Sequence, residues 1–273
     1  MQEGRKMTYE KVDGGRFGPW AVVTGASSGI GQEFARQLAA NGLNLVLVSR
    51  REAALERVGQ ELRQGHGIAY RVIEADLSEE AGQRRVVDGT ADLDVGLLVS
   101  NAGMGQPGNF LAFDESDLRR VAQLNGVSYM YLAHAFGGRF AKRGRGGILL
   151  VSALGADTGV PFNTKEAASK AMVSTLGRGL HYEFKPLGID VSVLVVTPTQ
   201  TPIIEKMGLR LADMPMKPMP VAQCVRAGLK GLQGNRLMVV PGLFYSLMVP
   251  LMPRGLARRM TANMMRKSTN FVT

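Results

Sequence analysis

The sequence predicts an α/β fold: a doubly wound, seven-stranded parallel sheet with helices on both faces. Three observations carry this expectation. Short β-branched runs alternate with longer helical patterns along the chain. Each run is apolar throughout rather than alternating, as strands buried on both faces are. And 273 residues, 45% hydrophobic and 21% charged, suit one domain of this class.

The strand candidates, in order, are "PWAVVTG", "LNLVLVS", "IAYRVIEAD", "VGLLVSNAG", "GGILLVSA", "IDVSVLVVT" and "RLMVVPG". Between the first two lies "GQEFARQLAAN", with apolar positions at Phe34, Ala35, Leu38 and Ala39 and an Asn41-Gly42 stop signal. "ESDLRRVAQLNGVSYMYLAHAFGGRF" reads as one long helix. No repeat or long linker interrupts the alternation, so residues 1–273 are expected to form a single domain. Two stretches depart from the pattern. Residues 201–220 are rich in Met and Pro, and residues 243–273 are apolar and then basic.

Composition narrows the function classes. Cys224 is the lone cysteine, so no intrachain disulfide forms, and a reducing, cytoplasmic setting is expected. His66, His134 and His181 share no ligand spacing, and no metal site is expected. The opening "MQEGRKMTYEKVDGGRFG" has no apolar signal core. The apolar stretch Leu237–Met252 is interrupted by Pro241 and Pro250 and is too short to span a bilayer. Residues 1–205 carry 22 basic and 22 acidic side chains, whereas residues 206–273 carry 11 basic ones against Asp213 alone. The whole excess of +10 therefore lies in the C-terminal quarter. Such a segment is either a solvated face or a contact for an anionic ligand, an acidic carrier protein or a membrane surface. Nucleic acid is not expected, because few aromatics accompany the basic residues.

"VVTGASSGIG" places Gly25, Gly29 and Gly31, with Ser27, Ser28 and Ile30 between them, after the first strand and at the start of a helix. Glycine lets the backbone turn sharply and approach a pyrophosphate, and the helix N-terminus offers free N–H groups to it. In its strand–turn–helix context the triplet makes the sheet a Rossmann-type nucleotide fold.

The Thr-Gly-x-x-x-Gly-Ile-Gly spacing at 24–31, Asn101-Ala102-Gly103 after the fourth strand and Asn125 in the long helix resemble the short-chain dehydrogenase/reductase family. The resemblance covers residues 17–242. "FGPWAVVTGASSGIG" and the tail "LMPRGLARRMTANMMRK" are similar to a branch near the long-chain 3-ketoacyl reductases and hydroxysteroid dehydrogenases. It implies cofactor contacts from the glycine loop, from Asp76-Leu77 at the adenine, from Asn101, Ala102 and Gly103, from Lys170, and from Thr199 and Thr201. It also implies a substrate lid at 201–220 and a homodimer or homotetramer. At the end of the second strand an NAD site wants a carboxylate. This chain has Ser49 there, followed by Arg50 and Arg51, which favours NADP(H).

The family's chemistry uses a serine, a tyrosine and a lysine, with an asparagine in the proton relay. Aligned without a gap, Lys170 and Asn125 keep their places, Glu166 stands at the tyrosine position and Ala153 at the serine position. Tyr182 lies twelve residues past Lys170, so no tyrosine near in sequence replaces the missing one. Ser152, beside Ala153, should point to the opposite face of its strand. Val196 and Thr197 stand where relatives carry Pro-Gly.

One helical turn from Lys170, Glu166 is expected to be ionised. Three roles follow: a structural salt bridge with Lys170, a general base in isomerase- or lyase-type chemistry, or an acid if desolvation raises its pKa. Ala153, Met207 and Met214 are the candidate substrate contacts, for a hydrophobic substrate with an anionic end. The expected function is that of an NADP(H)-binding enzyme with Glu166 in place of the tyrosine acid/base. The alternative is a pseudoenzyme that binds NADP(H) or an apolar ligand.

Overall fold

The computed structural model describes residues 10–201 and 218–268. The seven strands are β1 Trp20–Thr24, β2 Asn44–Ser49, β3 Tyr70–Glu74, β4 Val95–Ser100, β5 Gly146–Ala153, β6 Ile189–Val196 and β7 Met238–Val239. They form one sheet in the order β3-β2-β1-β4-β5-β6-β7, and every pairing is parallel. The helices are α1 Gly14–Phe17, α2 Gly29–Ala40, α3 Glu52–His66, α4 Glu80–Asp88, α5 Glu115–Ala122, α6 Ser128–Arg143, α7 Thr164–Phe184, α8 Val221–Gln233, α9 Leu243–Leu251 and α10 Arg254–Ser268. This is the doubly wound Rossmann-type sheet that the alternation of runs predicts.

Strand side chains alternate between faces, and both faces are covered. Ala21, Val23, Leu45 and Leu47 join Phe34 and Leu38 of α2 and Leu229 of α8 in one core cluster. Val22, Val46, Val48 and Leu98 join Phe136 and Phe140 of α6 in the other. Side chains of this size are worth about 1.5–3 kcal/mol each when fully buried. That explains why the strands read as continuous apolar runs.

Two details differ from the sequence reading. The long helix predicted over 115–140 is interrupted by a π-helical turn, Gln123–Val127, between α5 and α6. The stretch after 243 forms two further helices, α9 and α10.

The sheet reverses direction of winding between β1 and β4. A crevice therefore opens beyond the C-terminal ends of the strands. Gly25, Arg50, Asp76, Asn101 and Ala153 all fall at or just past those ends, so the topology gathers them on one edge of the sheet.

Candidate active site

The glycine loop is shaped by steric need. Gly25 (φ 69°) and Gly29 (φ 58°) adopt left-handed backbone conformations. Gly31 packs so closely that a Cβ there would overlap the Gly25 carbonyl oxygen and crowd the Asn101 amide. Asn101 latches β4 to β1: its backbone N–H donates to Thr24 Oγ1 (2.8 Å) and its side-chain amide to the Thr24 carbonyl (2.9 Å). The Ala102 N–H also donates to Thr24 Oγ1 (2.9 Å). Ser28, the residue before α2, makes no side-chain cap bond. The first N–H groups of α2 are therefore left for an anion.

Arg51 reaches back from the end of β2 and donates to Ser27 Oγ (2.9 Å) and Ser28 Oγ (3.1 Å). A guanidinium and two hydroxyls thus meet beside the phosphate-binding turn, and among the described residues no carboxylate is hydrogen-bonded to Arg51. Arg50 is engaged differently. It donates to Asp76 Oδ2 (3.5 Å), as does Arg120 from α5 (3.2 Å). Burial alone would raise the Asp76 carboxyl, but hydrogen bonds from the Ser78 hydroxyl and N–H and the charges of Arg50 and Arg120 hold it below the usual range. Leu77 is buried in the core, and its carbonyl accepts from Gln83 Nε2 (3.0 Å). Ile30, in the first turn of α2, packs partly buried against the core.

Together these residues fit the phosphates of a dinucleotide. Arg51→Ala should weaken NADPH binding about tenfold, the scale of one charge-assisted hydrogen bond, and leave NADH binding unchanged. Titration of reduced-nicotinamide fluorescence reads both. An equal loss for the two nucleotides would remove Arg51 from the 2′-phosphate.

At the reaction end, Lys170 is buried. Its ammonium donates to the Val151 carbonyl (2.9 Å) and to the hydroxyl of Tyr129 (3.0 Å), which itself donates to the Ala102 carbonyl (3.0 Å). Burial lowers the Lys170 pKa to about 8, with the Glu166 charge opposing that shift. Tyr129 is fully buried, and burial raises its pKa. A tyrosine therefore does touch Lys170, although none is near it in sequence. It comes from α6, 41 positions away, four residues after Asn125. Asn125 lies in the π-helical turn, buried, accepting from the Met104 N–H (2.9 Å) and donating to its carbonyl (2.8 Å). Gly103 is the neighbour of both: a Cβ there would stand 3.3 Å from Asn125 Oδ1 and 3.4 Å from Lys170 Nζ.

Losing the Tyr129 hydroxyl would leave the Lys170 ammonium with one fewer acceptor and lower its pKa further. Lys170 is charged below its pKa and loses its charge as pH rises through about 8. NADPH affinity should therefore weaken through that range, and Tyr129→Phe should move the midpoint to lower pH. Nucleotide titration across this range reads the shift. An unchanged midpoint would show that Tyr129 does not tune the lysine.

Glu166 differs from expectation. No ion pair among the described residues joins it to Lys170. One carboxyl oxygen instead accepts from Asn163 Nδ2 (2.6 Å), and a Cβ on Gly105 would overlap the same carboxyl. Burial raises the Glu166 pKa, and that effect outweighs the lowering by the Asn163 amide and the Lys170 charge. Of the three roles, the salt bridge has no direct contact here, because the Lys170 head points to Tyr129 and Val151, and burial shifts the Glu166 carboxyl toward its protonated form. Nor is "NTKE" a capping box, in which the glutamate would take the N-cap N–H. The Asn163 N–H donates to the Val160 carbonyl (3.0 Å).

Phe162, just before Asn163, has φ 62°, and its carbonyl accepts from the Gly108 N–H (2.7 Å). The loop after β4 is so tied over the start of α7. Strained backbone of this kind tends to collect at functional sites.

Ala153 ends β5 half-buried, and Ser152 turns away from it, donating to the Lys170 carbonyl (2.9 Å) and pairing with Ser174 Oγ (2.7 Å), as strand alternation requires. Thr197 is buried and donates to the Pro241 carbonyl (3.3 Å), and Thr199 is buried and donates to the Thr197 carbonyl (2.7 Å). The Thr199 hydroxyl is thus already engaged inside the protein. Thr201 is half-buried. Met207 and Met214 lie outside the described residues, as does most of the expected lid. Sequence reasoning missed Arg120, Tyr129, Asn163 and Gly105. Only Gly105, in "NAGMGQPG", carried a visible signal. A recess of about 590 Å³ between α3 and β3, lined by Glu56, Arg63 and Tyr70, contains none of the site residues.

A parallel sheet with a glycine-rich turn, an arginine at its rim and a buried lysine beside Gly103 and β5 defines a dinucleotide-binding oxidoreductase fold. The chain belongs to the short-chain dehydrogenase family: residues 19–210 match the family described as short chain dehydrogenase. It is 33% identical over 187 residues to a 7beta-hydroxysteroid dehydrogenase of Clostridium sardiniense, covering 68% of this chain and 72% of that one. It is 33% identical over 213 residues to a very-long-chain 3-oxoacyl-CoA reductase of Meyerozyma guilliermondii, covering 74% of this chain. That match spans 62% of the Meyerozyma protein's length. Among solved structures, a short-chain dehydrogenase from Sphingobium yanoikuyae in complex with NADPH has a TM-score of 0.79 at 30% identity, covering 90% of this chain and 96% of that one.

Proposed function

We propose that the chain is an NADP(H)-dependent oxidoreductase of a hydrophobic carbonyl/alcohol pair, with Glu166 as the proton donor and acceptor. The observation that carries the role of Glu166 is its carboxyl, enclosed by Gly105 and Asn163 and biased by burial toward its protonated form. A neutral carboxylic acid can donate to a developing alkoxide, whereas an ionised one would repel it. Burial therefore favours the acid role over the salt bridge and over the base of an isomerase or lyase.

The nucleotide would be held by the Gly25–Gly31 turn, Arg51, the Asp76 rim, Asn101–Gly103 and Lys170, and it would supply the hydride. Lys170, anchored by Tyr129 and Val151, orients the ribose end. Asn125 fixes Met104 and so the loop over the site. Ala153 leaves room where a larger residue would stand, on the side of the substrate. The names of the relatives suggest a 3-oxoacyl thioester or a steroid ketone as substrate class, consistent with an apolar body and, for the thioester, an anionic end. A homodimer or homotetramer in the cytoplasm, with the C-terminal quarter contacting a membrane or carrier protein, completes the reading.

The test is NADPH oxidation with a long-chain 3-oxoacyl-CoA and with a 7-oxo steroid, in the wild-type chain and Glu166→Gln. Turnover of either substrate that falls in the variant supports the reading. Turnover that persists undiminished removes Glu166 from the chemistry.

A further inference from the structure

Helix α9 exposes a stripe of leucines. Leu243, Leu247 and Leu251 recur every four residues and so share one face. They are 77%, 56% and 75% exposed, with Phe244 beside them at 50%. Single exposed leucines are ordinary on a protein surface, but a stripe on consecutive turns is an unfilled contact. Helix α10 continues the theme: Leu256 and Met260, one turn apart, are also exposed.

Helix α10 is also held to the body. Met265 is buried with Val160 and Ala167, Arg258 Nε donates to the Thr158 carbonyl (2.8 Å), and Arg266 lies over the Phe162 ring. Its inner side therefore covers the loop that leads to Asn163 and Glu166. Residues 243–268 contain Arg254, Arg258, Arg259, Arg266 and Lys267 and no acidic residue.

We propose that α9 and α10 form a surface that seats the chain on an anionic lipid bilayer, next to the entrance of the active site. The charge selects this occupant. The leucines need an apolar partner, which an acidic protein face or a free anion does not supply. A second copy presenting the same face would bring the same uncompensated positive charge. An anionic bilayer satisfies both requirements: leucines enter the boundary between headgroups and acyl chains, and arginines meet the phosphates. No described helix is long and apolar enough to cross a membrane, so the contact is interfacial. The inference deepens the reading of a hydrophobic substrate, since α10 packs on the loop beside Glu166. Its test does not depend on catalysis.

The full chain should co-sediment with vesicles of phosphatidylcholine mixed with phosphatidylglycerol and much less with phosphatidylcholine alone, and salt should weaken retention. The triple variant Leu243→Ser/Leu247→Ser/Leu251→Ser and the pair Arg254→Gln/Arg259→Gln should each lower retention about tenfold or more. Circular dichroism and NADPH titration confirm that each variant is folded. Loss in both variants with nucleotide binding intact supports the proposal. Three results would overturn it: no vesicle retention by the folded chain, retention indifferent to both variants, or a dimer by light scattering that the leucine variant dissociates while vesicles retain nothing. None of these would touch the NADPH oxidation result, so the two readings fail separately.

Discussion

Glu166→Gln should reduce NADPH-dependent turnover about 10²–10⁴-fold, the usual worth of a positioned acid or base. NADPH affinity should stay within about twofold, a change of less than 1 kcal/mol. Glutamine keeps the length of the side chain and a partner for Asn163 Nδ2, but its amide does not release a proton. The loss should therefore appear in kcat more than in KM, as for an interaction made in the transition state. Because the wild-type carboxyl is driven toward its protonated form by burial, reduction should run at full rate at low pH. It should fall as pH rises through the raised Glu166 pKa, where the donor is lost. Steady-state kinetics across pH check both statements. A Glu166→Gln variant with the wild-type rate and pH profile would make this glutamate a bystander.

Gly31→Ala should abolish tight NADPH binding. Its Cβ would overlap the carbonyl oxygen of Gly25 and crowd the Asn101 amide, both fixed parts of the β1 and β4 ends. The carbonyl is backbone and the amide is tied to the Thr24 carbonyl, so α2 or the phosphate turn must move. The N–H groups of α2 would then no longer converge on one anion. Affinity should fall about tenfold or more, at least 1.4 kcal/mol, with a lower melting temperature, since β1, α2 and β4 meet there. Nucleotide fluorescence titration and thermal denaturation read the two effects. Binding retained at wild-type strength would mean that the pyrophosphate does not sit on this turn.

The fold was legible because its signals are local. Seven apolar runs map onto seven strands, and the Gly25–Gly31 spacing marks the turn, since both arise from needs within a few residues. The site was legible in part. Lys170, Asn125 and Glu166 stand in a readable register, but their partners come from elsewhere in the chain. Tyr129 reaches Lys170 from 41 positions away, and Arg120 reaches Asp76 from 44. No spacing rule encodes such pairs, because the sheet order and not the sequence brings them together. The same limit applies to the surroundings of Glu166. Four residues along a helix suggest a salt bridge with Lys170. The lysine instead turns to Tyr129 and Val151, leaving Glu166 desolvated beside Gly105 and Asn163. The exposed leucines of α9 were likewise read only as an apolar stretch, since exposure is a property of the folded chain.

The most direct test is an infrared titration of carboxyl groups in the wild-type protein minus Glu166→Gln, which needs no substrate. As pH rises past the ~4.3 of an unperturbed glutamate, the difference spectrum should still contain one protonated carboxyl that the variant lacks. If no carboxyl remains protonated there and the difference shows only a carboxylate, Glu166 is not the buried acid, and proton donation by it is wrong.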